Sequence, residues 1–345
     1  MKVGLVYNEK KEGAGVPDDQ YLEWDDAETI SAIAAALRKH HDVCLIEADD
    51  RVTQALKREK PDIVFNIAEG RSGPLREAEI PALLDALAIP YTGSGPETLS
   101  VGLDKAWTKR VLRQCGIPTP DFLVSENTDY YLNGLSLPVI VKPLWEGSSK
   151  GITDNALVET PQALRKQVTY LLERYQQPVL IEKFLSGREF TLALLGNGSS
   201  LEALPIIEIN LNELPPEANK IYSYEAKWVW DTPERPLKMF ECPAKIPYML
   251  ERKLVHLAKR TFQVLNCRDW CRIDMRLDDK GDPHVLEVNP LPGILPNPDQ
   301  NSCFPKAARA KGMTYDELIL KVLSVACERL GLGEHVSSSR YHSVR

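Results

Sequence analysis

Three groups of side chains, far apart along the chain, could do chemistry together. The first is cationic: Lys105, Lys142, Lys227 and Arg272. A lysine ammonium is a compact point charge suited to phosphate, and the planar guanidinium suits an oxyanion. The second is the stretch VKPLWEGSSKGI, Val141 to Ile152. An apolar run ends there on Lys142, and a loop of Glu146, Gly147, Ser148, Ser149, Lys150 and Gly151 follows. Its glycines permit unusual dihedrals and let backbone N–H groups approach oxygens, and its serines add donors. A structural lysine needs no such loop; a phosphate does. The third group is Asp274 in RIDMRL with Glu287 and Asn289 in LEVNP. Residues two apart share one face of a strand. Three hard oxygen ligands on adjacent strands suit Mg²⁺, which also takes phosphate oxygens and waters. Together the groups describe a magnesium–nucleotide site.

Each piece also has a plainer explanation. Lys142 alone reads as a solvated strand-end lysine, and Glu146 to Gly151 as a surface loop. Asp274 and Glu287 could lie on the exposed face of a hairpin turning at DDKGD, and Lys227 in YEAKW could be a surface residue. Order and joint occurrence favour the site. The G-x-x-x-x-G-K-[ST] phosphate loop and the G-x-G-x-x-G dinucleotide signature are both absent, which excludes those two classes.

The elements that must position these groups follow from periodicity. KVGLVY, DVCLIE and PDIVFNI read as strands, and DDAETISAIAAALRKH and IPALLDALAI as helices. In the first helix Ile30, Ile33, Ala34 and Leu37 form one stripe, and Asp25 and Glu28 have capping-box spacing. Such alternation predicts an open, mostly parallel sheet with ligands beyond the carboxyl ends of its strands, at YNEKKEGAG and NIAEGRSG. From about Ser94 the character changes. A helix from Leu103 ends at Gly116, and apolar runs and helices alternate to a last helix, Asp316 to Leu330. The segments are 1–95, an α/β substrate-side domain; 96–186, with the lid loop; 187–332, with the metal ligands; and 333–345, a disordered tail.

Composition bounds the rest. The chain has 345 residues, too many for one core. With Lys plus Arg 42 and Asp plus Glu 49, the formal charge is −7, which argues against general nucleic-acid binding. No stretch reaches the ~20 apolar residues of a membrane span, and the start lacks a signal-peptide core. The seven scattered cysteines read as reduced thiols of a cytoplasmic protein. Asn197-Gly198 between two apolar runs reads as a hairpin turn rather than a glycosylation site.

Lys142-Pro143, Glu146-Gly147-Ser148-Ser149 and Gly151, then LIEKFLSGREFT, YEAK, RIDMRLD and LEVNPLPG, occur in an order and spacing that resembles the ATP-grasp enzymes. Within them the chain is most similar to the D-alanine–D-alanine ligase family. The resemblance implies an N-terminal parallel-sheet domain followed by a two-subdomain ATP-grasp fold, with ATP and Mg²⁺ (two ions, or Mn²⁺) between the subdomains. It implies that Lys105 and Lys142 contact phosphates, with Glu146, Ser148 and Ser149 in the lid over them. Glu182, Lys183 and Leu185 would lie on the adenine-reading strand, Glu189 at the ribose, and Lys227 at the γ-phosphate. Asp274, Glu287 and Asn289 would hold metal. A carboxylate would become an acyl phosphate, which an amine then attacks, with Arg272 and the Gly293 N–H stabilising the oxyanion and Ser148 and Glu23 near the reacting groups. Relatives of this kind are often homodimers.

The departures from the family pattern fall on the amino-acid side. Glu69 stands where peptide-forming members carry a histidine, Trp228 stands for the tyrosine that bonds the serine loop, and an indole cannot replicate a phenol there. The segment after NPLPG is longer, and Ser302 matches the serine that holds the acceptor carboxylate. Glu23 could pair with a substrate ammonium or be a solvated helix-start acid. Arg71 and Arg76 could bind a substrate carboxylate or be ordinary loop charges. The leading expectation is an ATP-dependent carboxylate–amine ligase acting on amino acids. The rivals are a true D-alanine–D-alanine ligase and an ATP-binding protein without ligase activity.

Overall fold

The computed structural model describes residues 1–11, 21–130, 132, 134–231 and 237–332. The expected tail, 333–345, and part of the YNEKKEGAG loop lie outside these residues. The elements run in three groups. First come β1 (Lys2–Tyr7), α1 (Ala27–Arg38), β2 (Asp42–Glu47), α2 (Val52–Glu59), β3 (Ile63–Asn66) and α3 (Glu79–Ala86). Next are α4 (Pro96–Leu103), α5 (Lys105–Gln114), β4 (Phe122–Ser125), β5 (Val139–Pro143), β6 (Leu157–Val158), α6 (Pro161–Tyr175) and β7 (Val179–Lys183). Last are β8 (Glu189–Leu195), β9 (Glu202–Ala203), β10 (Ile207–Ile209), α7 (Tyr224–Trp228), β11 (Phe240–Glu241), α8 (Tyr248–Val264), β12 (Trp270–Leu277), β13 (Pro283–Asn289), α9 (Cys303–Ala310) and α10 (Tyr315–Leu330).

The first group forms a parallel sheet in the order β2-β1-β3, with Val3 opposite Val43 and Ile63. Its strands are short apolar runs joined by helices, the pattern that parallel sheets require. The second group forms an antiparallel sheet, β4-β7-β5-β6, and the third a larger antiparallel sheet, β11-β10-β8-β12-β13, with β9 on β8. The hairpin at Asn197 joins β8 to β9, and the Asn197 amide donates to Asp269 at 2.8 Å.

Two boundaries differ from the sequence reading, each for a visible reason. Helix α1 is capped by Asp26, whose carboxylate accepts from Thr29 N at 2.7 Å, not by Asp25. The Asp25 backbone is committed to Asn8 and Lys10, so it cannot also serve as the cap. Before α5 the chain forms a further helix, α4; Asp104 between them is extended, and its carboxylate caps α5 at Trp107 N. Gly116, at φ +66°, follows α5 and lets the chain turn away.

The first and third groups share one apolar core. Trp270 is fully buried and meets Phe65 and Phe304 edge-on, with centroids 5.9 and 5.7 Å away. An aromatic of this size contributes about 3–5 kcal/mol by truncation. Beside it Asp269, also fully buried, is satisfied by Arg329, Asn197 and the Gly93 amide, each at 2.8 Å. These contacts hold α10 and the first sheet against the third. Among the described residues no helix is long and apolar enough to cross a membrane.

Candidate active site

A cavity of about 350 Å³ opens where the three sheets approach one another. Its walls hold Lys105, Lys142, Glu146, Ser148, Ser149, Glu182, Lys183, Leu185, Glu189 and Lys227. They also hold Arg272, Asp274, Glu287, Asn289, Gly293, Glu23, Glu69 and Ser302. Residues as distant along the chain as Glu23 and Ser302 thus face one space. Of the residues singled out from the sequence, Arg71 and Arg76 do not line it. Arg71 is exposed and pairs with Asp50. Arg76 is buried behind the wall, where it holds other groups.

The oxygen ligands stand on the β12–β13 ladder. Asp274 is directly opposite Glu287, and Arg272 opposite Asn289. A bulge follows at Asp274/Met275, which increases the local twist and re-aims the side chains there. Asp274 is fixed by Thr191 Oγ1 at 2.6 Å, Asn289 Nδ2 at 3.1 Å and two bonds from Arg272 at 3.0 and 2.9 Å. Glu287 pairs with Lys105 at 2.9 Å. Burial works against its charge, but Lys105 and Lys142 outweigh that and hold the Glu287 pKa down to about 2. Among the described residues no three His, Cys, Asp or Glu side chains form a metal cage. Two carboxylates and an amide fit Mg²⁺ as an ion that shares its shell with phosphate and water.

Lys142, the penultimate residue of β5, is buried, with Nζ 2.5 Å from Glu182 Oε1. Burial disfavours its charge, yet Glu182 and Glu287 prevail and raise the Lys142 pKa. Lys105 Nζ also donates to the Glu146 carbonyl at 2.5 Å, which ties α5 to the lid loop. Glu189 is held by Arg276 at 3.1 Å; burial, the larger influence, raises its pKa against the pull of Arg276. Lys227 lies at the end of α7, its ammonium 5.0 Å from the Trp228 ring centroid. Burial first, then the Arg272 charge, lowers its pKa to about 8.

The lid loop is held from two sides. Glu23 accepts from the Gly147 amide at 2.9 Å and pairs with Arg76 at 2.7 Å. Arg76 also donates to the Trp145 carbonyl at 2.8 Å. Glu23 is therefore already engaged, as a support for the loop, and Arg76 with it. On the other side Ser149 Oγ donates to the Tyr222 carbonyl at 3.1 Å, and Trp228 Nε1 to the Ser148 carbonyl at 3.1 Å. The indole thus does tie the serine loop, by donating to the backbone instead of to a hydroxyl. Ser148 and Ser149 take φ of 51° and 60°, the left-handed region, at roughly 1 kcal/mol each for a residue with a side chain.

The wall built by the first group of elements is acidic. Asp25, Glu69 and Glu77 line the cavity there. Burial, then its neighbours Glu77 and Glu23, pushes the Glu69 carboxyl well above the usual range. Burial pushes Glu77 up to about 7 in spite of Arg76. Ser302 donates to the Gly293 carbonyl and accepts from Leu295 N, each at 3.1 Å, so it shapes the turn that presents the Gly293 amide.

Comparison with known proteins decides the family. Residues 111–324 match the family described as D-ala D-ala ligase C-terminus. The chain belongs to the D-alanine–D-alanine ligase family. It is an ATP-grasp ligase. A D-alanine–D-alanine ligase of Carboxydothermus hydrogenoformans is 34% identical over 338 residues, 95% of this chain and 99% of that protein. The uncharacterised protein y4sG of Sinorhizobium fredii is also 34% identical, over 95% of this chain and 98% of its own length. The crystal structure of D-alanine–D-alanine ligase from Bacillus anthracis shares the fold with a TM-score of 0.74 and 25% identity, covering 96% of this chain and all of that one.

The supporting side chains were not singled out in the sequence. Thr191 and Arg276 hold Asp274 and Glu189, and the signal was there: they fall inside LIEKFLSGREFT and RIDMRLD, two residues from Glu189 and Asp274 and so on the same strand faces. Lys109 had a signal: it lies four residues after Lys105 in an amphipathic helix, hence on the same face.

Proposed function

We propose that this protein is an ATP-dependent ligase joining the carboxyl group of one amino acid to the amine of another, with Asp274, Glu287 and Asn289 holding Mg²⁺. One observation carries the reading: Lys105, Lys142, Lys227 and Arg272, a Gly/Ser loop and a facing pair of carboxylates border a single cavity. When bound, ATP supplies the γ-phosphoryl group that makes a carboxylate reactive, and Mg²⁺ offsets the charge of the phosphate oxygens.

The chain's own residues then position, shield and stabilise. Lys142 and Lys227 bring ammonium groups to the phosphates from different elements, strand β5 and helix α7. The loop at Ser148 and Ser149, tied to Glu23 and Trp228, covers them and excludes water that would hydrolyse an acyl phosphate. Arg272 aligns Asp274 and offers its remaining N–H donors, with the Gly293 amide, to the oxyanion that forms when the amine attacks. Glu69 faces the amino-acid substrates with a carboxyl group.

The test is a phosphate-release screen over paired amino acids of both configurations, with mass spectrometry of the product. ATP turnover that depends on an amino-acid pair, with a product of the summed mass less water, is the expected result. Turnover with no such product would refute the proposal. The name of the Carboxydothermus relative favours a second reading, D-alanine–D-alanine ligation. Robust ADP release with D-alanine alone would establish it.

A further inference from the structure

Behind the phosphate-binding wall a second lysine is buried completely. Lys109 has no exposed surface, does not line the cavity, and sits one turn beyond Lys105 on α5. Its ammonium lies 2.8 Å from Glu182 Oε2, a close ion pair, and donates to Thr119 Oγ1 at 2.9 Å. The Thr119 hydroxyl in turn donates to the Val285 carbonyl at 2.8 Å, which anchors the arrangement to β13. The other oxygen of Glu182 is the one that meets Lys142 at 2.5 Å. One buried carboxylate is thus shared by two ammonium groups, one facing the cavity and one hidden.

Charge counting shows what the hidden lysine does. Lys142 and Glu182 alone form a neutral pair, which attracts an anion weakly. With Lys109 the trio carries a net charge of about +1, so an anion in the cavity meets a net cation instead of a neutral pair. A buried lysine is costly unless a function or a partner retains it. Burial lowers the Lys109 pKa to about 8 despite Glu182, while the two lysines together hold Glu182 down to about 2. We infer that Lys109 is a positioning residue: by neutralising and orienting Glu182 it leaves Lys142 net positive toward the phosphates of the nucleotide. The inference rests on the reading of Lys142 as a phosphate ligand.

The experiment measures Mg-ATP binding by isothermal titration on the full chain for K109M, the K109M/E182Q double variant and K142A, with kcat and KM for ATP. Lys109→Met is expected to weaken Mg-ATP binding about tenfold and to raise KM far more than it lowers kcat. The double variant removes the uncompensated carboxylate along with the lysine. It is expected to return binding to within about threefold of the parent, a recovery that a merely structural lysine would not give. Should K109M fail to fold, Lys109→Gln keeps a donor to Glu182 without the charge and is expected to show the same loss. Parental binding in the folded Lys109 variant, or a double variant as weak as the single, overturns the inference. Unchanged binding in K142A would remove the reading beneath it as well, so the two failures are told apart.

Discussion

Asp274 and Glu287 face each other across the β12–β13 ladder, and each is held by a different cation, Arg272 and Lys105. Lys105 and Lys142 hold the Glu287 carboxyl in its charged form, while Thr191 and Asn289 fix the direction of Asp274. Glu287→Gln keeps the shape and an oxygen but removes the charge. The Mg²⁺ concentration for half-maximal turnover should rise by about tenfold or more. Titrating Mg²⁺ against ATP turnover checks this, and an unchanged Mg²⁺ dependence would remove Glu287 from the metal site.

Lys142→Ala should reduce ATP-dependent turnover by about 10²- to 10³-fold while the fold persists. The fold is expected to survive because Glu182 keeps Lys109 as its counter-ion, so no bare buried charge is created. Turnover assays beside circular dichroism separate the effects; normal turnover in the folded variant would refute the phosphate role.

Lys227 gives a pH signature in which activity and stability move in opposite directions. Burial and Arg272 hold its pKa at about 8 in the folded protein, against 10.5 ordinarily. In the proposed role its charge meets phosphate, so kcat/KM for ATP should fall as pH rises through about 8. The folded pKa is below the unfolded one, so the unfolded chain binds more protons between these values. The contribution of this group to stability therefore rises across pH 8 to 10.5, as its burial penalty is relieved. Lys227→Met should remove both trends. A kcat/KM profile flat to pH 10, or one that only follows unfolding, would contradict the assignment.

Glu69→His exchanges a carboxyl held well above its usual pKa for an imidazole on the acidic wall of the cavity. Substrate choice should shift by about tenfold or more between competing amino acids, and KM for ATP by about twofold or less. The reverse pattern would move Glu69 out of the amino-acid site.

How much was legible in the sequence depends on whether a residue acts directly or through another. Lys142, Ser148, Asp274 and Glu287 sit in short motifs whose spacing already implies strand, loop and strand, and all four meet at one cavity. Glu23 and Arg76 were legible as charges but not as partners, because their pairing joins residues more than 50 apart through a loop. Arg71 was indistinguishable from Arg76 by type, and only the fold separates the exposed one from the buried one. The Asp25 cap failed because a non-local backbone bridge overrode a local spacing. Trp228 was misread through its chemistry: an indole lacks a phenol's oxygen, yet its one donor suffices for a backbone carbonyl.

That last contact leads to a test of the lid. Trp228 Nε1 reaches the Ser148 carbonyl at 3.1 Å, and Ser149 Oγ reaches the Tyr222 carbonyl at 3.1 Å, so two bonds close the loop from the α7 side. Phenylalanine keeps most of the ring's bulk and removes the donor. The lost hydrogen bond contributes about 0.5–1.5 kcal/mol to the closed loop, or roughly a three- to tenfold shift toward the open one. An open loop admits water, so Trp228→Phe should raise the ratio of ADP released to amide formed by a similar factor, with a melting temperature near the parent's. Unchanged coupling between ADP and product would mean that the indole is not part of the closure, and that Glu23 and Ser149 hold the loop without it.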